Sequence, residues 1–324
     1  MFLVCGEALF DLFVDPAHSE FPGKVGFTAI AGGSPFNVAV GLSRLGVGSA
    51  LLTGVSNDFL GQQLRQVLEN EGVSTHYLAQ PEATSTTLSL VAVDKRGVPH
   101  YSFYGHSGAD RQLLPSHVPE IGKEIRGIHV GSYSLVVAPT AGTLYELVHK
   151  SSQDRLITLD PNVRLNVEPD LDVWRERITA FAQHAHIIKV SEEDLELLYP
   201  GQDPQVIAAT LLANQCQLVC LTHGENGSSV FTRNHGNWTS PACQINTIDT
   251  VGAGDTFQAA LITYLLENGF DTPATLATLQ RAHIEAMIDF ATQAAALTCQ
   301  RHGPDLPRRH ELPRAGNELQ AAAL

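Results

Sequence analysis

Residues 246–261 read Asn-Thr-Ile-Asp-Thr-Val-Gly-Ala-Gly-Asp-Thr-Phe-Gln-Ala-Ala-Leu, a glycine-interrupted turn followed by an apolar segment. Glycine at positions 252 and 254 allows a sharp turn and lets backbone N–H groups approach a ligand closely. The apolar segment, 258–267, has the character of a helix, and a helix N-terminus adds unpaired N–H donors and the positive end of a dipole. The stretch therefore predicts an anion site. Asp255 stands at its mouth, where it either caps the helix or accepts a proton from a bound molecule.

A second glycine turn lies near the start of the chain. Residues 31–37 read Ala-Gly-Gly-Ser-Pro-Phe-Asn, and helical periodicity follows as far as Gly46. This pattern predicts another helix that begins at a tight turn. Asn37 falls in its first turn, where it either caps the helix or faces a ligand.

Composition excludes several classes of protein. The 324 residues carry a formal net charge of −14 and no basic run, so we expect no nucleic-acid partner. The apolar start contains Glu7 and Asp11 and lacks a positive leading segment, so it is interpreted as a buried strand and not as a signal peptide. No apolar run approaches the ~18 residues of a membrane span, so no membrane partner is expected. Five scattered cysteines favour reduced thiols in a cytoplasmic protein.

The order of strand-like and helix-like segments indicates an α/β protein. From residue 127 onwards the two alternate, which predicts a mostly parallel sheet with helices on both faces. Turn-rich or β-rich segments at about 12–30 and 86–104 are expected to form a small β-sheet that acts as a lid. We predict a single domain over 1–310 and a C-terminal tail over 311–324. Polar clusters follow several strands, and ligands of open sheets bind beyond those strand ends.

The motifs, taken in order, resemble those of the ribokinase-like (PfkB) carbohydrate kinases over roughly residues 2–305. The resemblance rests on four stretches: Asp249–Phe257, Ala31–Asn37, Asp160-Pro-Asn-Val-Arg164 and Thr222-His-Gly-Glu-Asn-Gly227. The start Gly6-Glu7-Ala-Leu resembles the fructokinase-like branch. Membership implies a three-layer α/β/α fold with a small β-sheet lid, and ATP-dependent phosphorylation of a sugar hydroxyl, with D-fructose as the first expectation. Neither a Walker A nor a dinucleotide-binding glycine pattern is present.

The resemblance also implies roles for individual residues. Phosphoryl transfer needs a proton acceptor for the attacking hydroxyl and neutralisation of charge on the moving group. Asp255 matches the general base, and the residues implied for the remaining roles fall into three groups. They are Gly252, Ala253 and Gly254 for the anion hole; Asp11, Gly33, Asn37, Phe103 and Arg164 for the sugar; and Thr222, Gly224 and Gly227 for the nucleotide.

Metal sites are implied less completely. Mg²⁺ is expected to arrive bound to ATP and to keep several waters. The family's Asn-x-x-Glu element is represented here by Ser191-Glu-Glu-Asp194, so Glu193 and Asp194 are candidates for the magnesium shell or, alternatively, part of a helix cap. Asp249 resembles part of a potassium site. His106 stands where fructokinase-like relatives often carry Arg, which leaves the contact on the lid side open.

Several alternatives remain open from the sequence. Within the family they are 2-keto-3-deoxygluconate kinase, ribokinase and nucleoside kinase. From another class, a non-catalytic sugar- or nucleotide-sensing protein would have the same fold without the need for Asp255. The expected partners are a small sugar and ATP, with a homodimer formed through the lid as a further expectation.

Overall fold

The computed structural model describes residues 1–15, 23–93 and 99–313. Its strands are β1 (Phe2–Cys5), β2 (Leu9–Asp15), β3 (Gly26–Gly32), β4 (Ser49–Gly54), β5 (Leu78–Ala79), β6 (Leu88–Val93), β7 (Pro99–Tyr104), β8 (Gly127–Gly131), β9 (Leu156–Asp160), β10 (Ile187–Ser191), β11 (Leu218–Thr222), β12 (Ser228–Thr232) and β13 (Asn237–Ser240). Its helices are α1 (Ser34–Arg44), α2 (Phe59–Asn70), α3 (Thr140–Ser151), α4 (Leu171–Ala182), α5 (Glu192–Leu198), α6 (Pro204–Leu211), α7 (Ala253–Glu267), α8 (Pro273–Leu276) and α9 (Arg281–Cys299).

The central sheet has the strand order β13-β12-β11-β10-β9-β8-β1-β4-β5. Pairing is parallel from β5 to β11, and β12 lies antiparallel to both of its neighbours. The inner strands are apolar and almost entirely buried, as expected of strands that are covered on both faces.

Helices cover both faces of this sheet. One core cluster joins the sheet to α1, α7 and α9, and the other joins its opposite face to α3 and α4. The result is the three-layer α/β/α arrangement predicted from the alternation of elements.

A second, four-stranded sheet has the order β3-β2-β6-β7. Strand β2 pairs antiparallel with β3 and parallel with β6, which forms a hairpin with β7. The expected small sheet is therefore present, in addition to the mostly parallel one. Residues 16–22 and 94–98 of the predicted lid segments, and 314–324 of the predicted tail, lie outside the described residues.

Helix α7 begins five residues earlier than the apolar pattern indicates. It begins at Ala253, so Gly254 and Asp255 lie in its first turn. Gly252 immediately precedes it in the left-handed conformation, at φ 79°, which glycine adopts without a steric penalty. In the part of the chain that the structure describes, no helix is long and apolar enough to cross a membrane.

Candidate active site

Asp255 is held by helix α1. Ser34 donates a hydrogen bond to one carboxylate oxygen at 2.7 Å, and the Asn37 amide donates to the other at 2.8 Å. Burial raises the pKa of Asp255, while these two hydrogen bonds and the charges of Lys189 and Arg164 act in the opposite direction. The carboxylate accepts no hydrogen bond from the backbone of its own helix among the described residues, so helix capping does not explain Asp255, and the same contacts show that Asn37 is not a cap.

The N-terminus of α7 is open towards the same space. No side chain caps it, and the backbone N–H groups of Gly252 and Gly254 have no acceptor among the described residues. The N–H of Ala253 instead donates to the Thr250 carbonyl at 3.2 Å. Free N–H groups at a helix N-terminus attract anions. Of the three residues predicted for the anion hole, Gly252 and Gly254 thus present unpaired donors, whereas Ala253 does not.

Lys189 lies directly beneath this turn. A Cβ built on Gly254 would stand 2.9 Å from the Lys189 ammonium nitrogen, so the two approach closely. The ammonium donates to a carboxylate oxygen of Asp160 at 2.9 Å, and both side chains are almost fully buried. Burial raises the pKa of Asp160 to about 6, against the attraction of Lys189.

A cavity of about 880 Å³ extends from Asp255 along the carboxyl ends of the central strands. All five residues predicted to bind the sugar line it: Asp11, Gly33, Asn37, Phe103 and Arg164. Burial raises the pKa of Asp11, and the Arg164 charge partly opposes the shift. The structure thus brings all the predicted sugar residues to the same cavity. His106, in contrast, is exposed and is not part of its lining.

Glu7 lies beneath the other glycine turn. A Cβ on Gly33 would stand 2.9 Å from the Glu7 carbonyl oxygen, so the turn packs tightly on this residue. The buried Glu7 carboxyl accepts a hydrogen bond from Ser134 at 2.7 Å. Burial raises the pKa of Glu7 to about 7.

The residues predicted for the nucleotide separate into two groups. Thr222 and Gly224 line the cavity beyond the end of β11, whereas Gly227 does not. Gly227 has φ 91°, and its carbonyl accepts the His223 N–H at 2.8 Å, so it closes the loop. A side chain at position 227 would meet the Ser240 carbonyl at 2.1 Å. The conformation of the loop explains why glycine stands at position 227. The predicted contact of Gly227 with the nucleotide stays a prediction.

The two residues predicted for the magnesium shell, Glu193 and Asp194, both line the cavity. Asp194 is in addition held by hydrogen bonds at the start of α5. Ser191 caps α5 by accepting the Asp194 N–H at 3.0 Å, while one Asp194 oxygen accepts the Val163 N–H at 2.8 Å.

The two oxygens of Asp249 accept the N–H groups of Val251, at 3.0 Å, and Gly303, at 2.8 Å. This carboxylate therefore fastens the chain just before α7, and potassium binding there stays a prediction.

Three residues of the site were missed by sequence reasoning. Lys189 was visible as a cation inside the apolar strand Ile187–Ser191, an unusual position for an unpaired charge. Ser34 lies within the predicted glycine turn, but nothing local shows that its hydroxyl reaches Asp255, 221 positions away. Glu7 was noted as part of a motif without a role.

The fold and the site together define a carbohydrate kinase: a fixed carboxylate and an open helix N-terminus line one large cavity beyond the strand ends. The chain belongs to the pfkB family of carbohydrate kinases, whose model matches residues 3–311. The resemblance seen in the motifs is thereby confirmed.

Individual relatives agree with this assignment. The chain is 32% identical over 318 residues to a fructokinase of Rhizobium leguminosarum bv. trifolii, covering 97% of this chain and 91% of that one. A fructokinase of Xylella fastidiosa solved with bound ATP superposes with a TM-score of 0.88 at 24% identity, over 100% of this chain and 99% of the other, and supports the fold. A fructokinase of Vibrio cholerae O395, solved with fructose, ADP and calcium ion, has a TM-score of 0.81 at 26% identity, over 96% of each chain.

Proposed function

We propose that this protein is a fructokinase, which transfers the γ-phosphoryl group of ATP to D-fructose and forms fructose 6-phosphate and ADP. The observation that carries the proposal is the position of Asp255, which Ser34 and Asn37 fix in the lining of the cavity. The residues predicted for the sugar and the open N-terminus of α7 line the same cavity. The fructokinases similar to this chain support the choice of sugar.

In the proposed reaction, Asp255 accepts the proton of the attacking sugar hydroxyl. Each carboxylate oxygen has two lone pairs, so the hydrogen bonds from Ser34 and Asn37 leave room for a hydroxyl donor. These bonds also fix the direction of the lone pairs, which general base catalysis requires. The unpaired N–H groups of Gly252 and Gly254 would stabilise negative charge on the phosphoryl group as it moves.

The sugar residues offer partners for hydroxyl groups. Asp11 and Glu7 line the cavity together with Arg164, whose charge acts on Asp11 and Asp255. Carboxylates accept hydrogen bonds from sugar hydroxyls, as a sugar substrate requires. The choice of fructose over 2-keto-3-deoxygluconate rests on the fructokinases similar to this chain.

On the nucleotide side, Thr222 and Gly224 are proposed to contact ATP. Glu193 and Asp194 fit a magnesium shell, because both line the cavity and carboxylate oxygens are ligands that Mg²⁺ accepts. Bound to ATP, Mg²⁺ would neutralise charge on the phosphates. Binding of K⁺ at Asp249 remains part of the proposal, with one further ligand expected from the Val251 carbonyl.

The small sheet is proposed to act as a lid on the sugar. Leu9, Asp11 and Phe103 of this sheet line the cavity, so closure there would exclude water, which competes with the sugar as acceptor. Side chains alternate along a strand, so Val14 and its pairing partner Phe27 lie on the face that also carries Phe10, away from the cavity. Val14 and Phe27 are exposed.

This exposed apolar face supports the proposal of a homodimer formed through the lid. Sedimentation equilibrium of the protein, with Phe27→Ser as the variant, tests it. A monomer at micromolar concentration of the unaltered protein would exclude the dimer.

A cytoplasmic location is proposed as well, supported by the five cysteines, all within the described residues and all free.

The decisive experiment is ADP release from ATP with a panel of acceptors: fructose, ribose, 2-keto-3-deoxygluconate and a nucleoside. The proposal expects turnover with fructose, and ³¹P NMR of the product should place the phosphate on the 6-hydroxyl. Turnover with another acceptor but not with fructose would correct the sugar. Binding of fructose without turnover on any acceptor would favour a sensing protein.

A further inference from the structure

Lys189 is a buried cation in the middle of a central strand. It belongs to β10, and only 5% of its surface is exposed. Its ammonium is paired with Asp160 at the end of β9. Ion pairs buried in this way often add little stability over apolar residues of the same volume, because desolvation offsets the attraction. Stability alone therefore gives a weak account of this pair.

The position of the ammonium suggests what it does. It lies beneath Gly254, close enough that a Cβ there would stand 2.9 Å from its nitrogen, and it lines the same cavity as Asp255. The helix N-terminus and the ammonium thus place positive charge on the same small volume. Because the Lys189 side chain is almost fully buried, its charge is screened less there than it would be in bulk water.

We propose that Lys189 is a positioning residue for phosphoryl transfer: held by Asp160, its ammonium places positive charge beneath the 252–254 turn, in the same cavity as Asp255. This inference rests on the proposed kinase function and adds a residue to it. Lys189 acts through Asp255 and the turn, and it takes no proton from the substrate.

Four charged groups act on Asp255. The cations Lys189 and Arg164 lower its pKa. Asp11 and Asp160 face it with like charge. Arg164 is exposed, so water and salt screen its effect, whereas the buried ammonium is screened much less. Removing Lys189 should therefore raise the pKa of Asp255. The base is active only when it is unprotonated, so the acidic limb of the rate profile should move to higher pH.

The test uses the double variant Lys189→Met/Asp160→Asn, which removes both charges and leaves no unpaired buried ion. The profile of kcat/KM for fructose against pH is expected to shift its acidic limb upward by less than about 1 pH unit, because loss of Lys189 raises the pKa of Asp255 while loss of the Asp160 charge partly opposes this. Titration calorimetry without sugar should show ATP affinity reduced about tenfold, which corresponds to about 1.4 kcal/mol. Lys150→Met, which removes an exposed cation, is the control and should change neither quantity.

A double variant with the acidic limb and ATP affinity of the unaltered protein would overturn the proposal and leave a purely structural ion pair. If the double variant does not fold, Asp160→Asn alone gives the answer. Asp160 raises the pKa of Lys189, so this change should bring loss of activity at alkaline pH to a lower pH. An unchanged alkaline limb would then refute the role of the ammonium. If the unaltered protein phosphorylates no acceptor, the proposed function fails, while ATP affinity still tests Lys189.

Discussion

The two glycine turns of the site are built alike, but the side chains that lie beneath them differ in charge. Gly33 precedes α1 and packs on the buried Glu7, whereas Gly254 lies in the first turn of α7 and packs on the buried Lys189. Both helices lack a side-chain cap at the turn. Beneath the turn proposed for the neutral sugar lies a group that can be protonated, and beneath the turn proposed for phosphate lies a cation.

The two helices also use their first turns differently. In α1 the side chains of Ser34 and Asn37 are both committed to Asp255. In α7 the backbone N–H groups of Gly252 and Gly254 remain free. Helix α1 thus orients the carboxylate of Asp255, whereas α7 leaves backbone donors free for an anion. Substitutions in the two helices should therefore change different kinetic constants.

The largest effect on catalytic rate is expected at Asp255, where α1 and α7 meet. Asp255→Asn keeps the shape but removes the proton acceptor, so kcat should fall by about 10²–10⁴ while affinity for fructose changes little. Asp154→Asn, on the exposed surface, is the control. A fall of less than tenfold in the steady-state assay would show that Asp255 is not the base.

Alanine substitutions in the two glycine turns should raise the KM values of different substrates. Gly252→Ala places a Cβ 2.9 Å from that of Pro304 in a left-handed backbone, a strain of about 1–2 kcal/mol. It should raise the KM for ATP about tenfold, since 1.4 kcal/mol corresponds to a factor of 10. Gly33→Ala should instead raise the KM for fructose, because its Cβ would meet the Glu7 carbonyl.

Gly142→Ala is the control for both variants, since a Cβ at this helical position meets no atom within 4 Å. Steady-state kinetics with each substrate varied in turn measures the split. Equal changes in both KM values for either variant would contradict the division between the turns.

A smaller effect is expected from Ser34→Ala. Loss of this hydrogen bond should raise the pKa of Asp255, because the bond favours the carboxylate. The acidic limb of kcat/KM should move up by roughly half a pH unit, with Asn37 still in place. Ser43→Ala, on the same helix and hydrogen-bonded to the Glu71 carbonyl, should leave the limb unmoved. A limb that moves equally in both variants would point to a general effect on α1.

The smallest effect concerns stability. The pKa of Glu7 is about 7 in the folded protein, above its ordinary value of 4.5. The unfolded chain therefore releases this proton first as pH rises, so Glu7 favours folding below 4.5 and this contribution is lost as pH passes 7. Glu7→Gln should flatten the decline in urea midpoint between pH 5 and 8, measured by circular dichroism. A decline as steep as that of the unaltered protein would show that another group causes it.

Much of this site was predictable because its motifs are local. Residues 252–255 and 33–37 each lie within one turn of chain, so their spacing shows a glycine turn and a helix start directly. Helix α6 has comparable signals, Asp203 as N-cap and Pro204 as first residue, and it was overlooked because the segment is short.

The rest of the site depends on contacts between segments that are far apart in the sequence. Lys189 meets Asp160 because β9 and β10 run parallel in the register that pairs Leu159 with Ile188. That register is a property of the sheet and cannot be read from either strand alone. The same holds for Asp249, whose oxygen reaches Gly303, 54 positions further on. Loop residues such as His106 face a related difficulty, since spacing does not give the direction of a side chain.

The hydrogen bonds between α1 and α7 have a consequence for synthesis of the chain. They join residues 218 and 221 positions apart, so the carboxylate meets its two donors only after residue 255 has left the ribosome. Such distant contacts form late and slow the folding of a chain. A nascent or truncated chain that ends before α7 therefore contains no active centre. Catalytic competence should appear only once α7 has packed against α1.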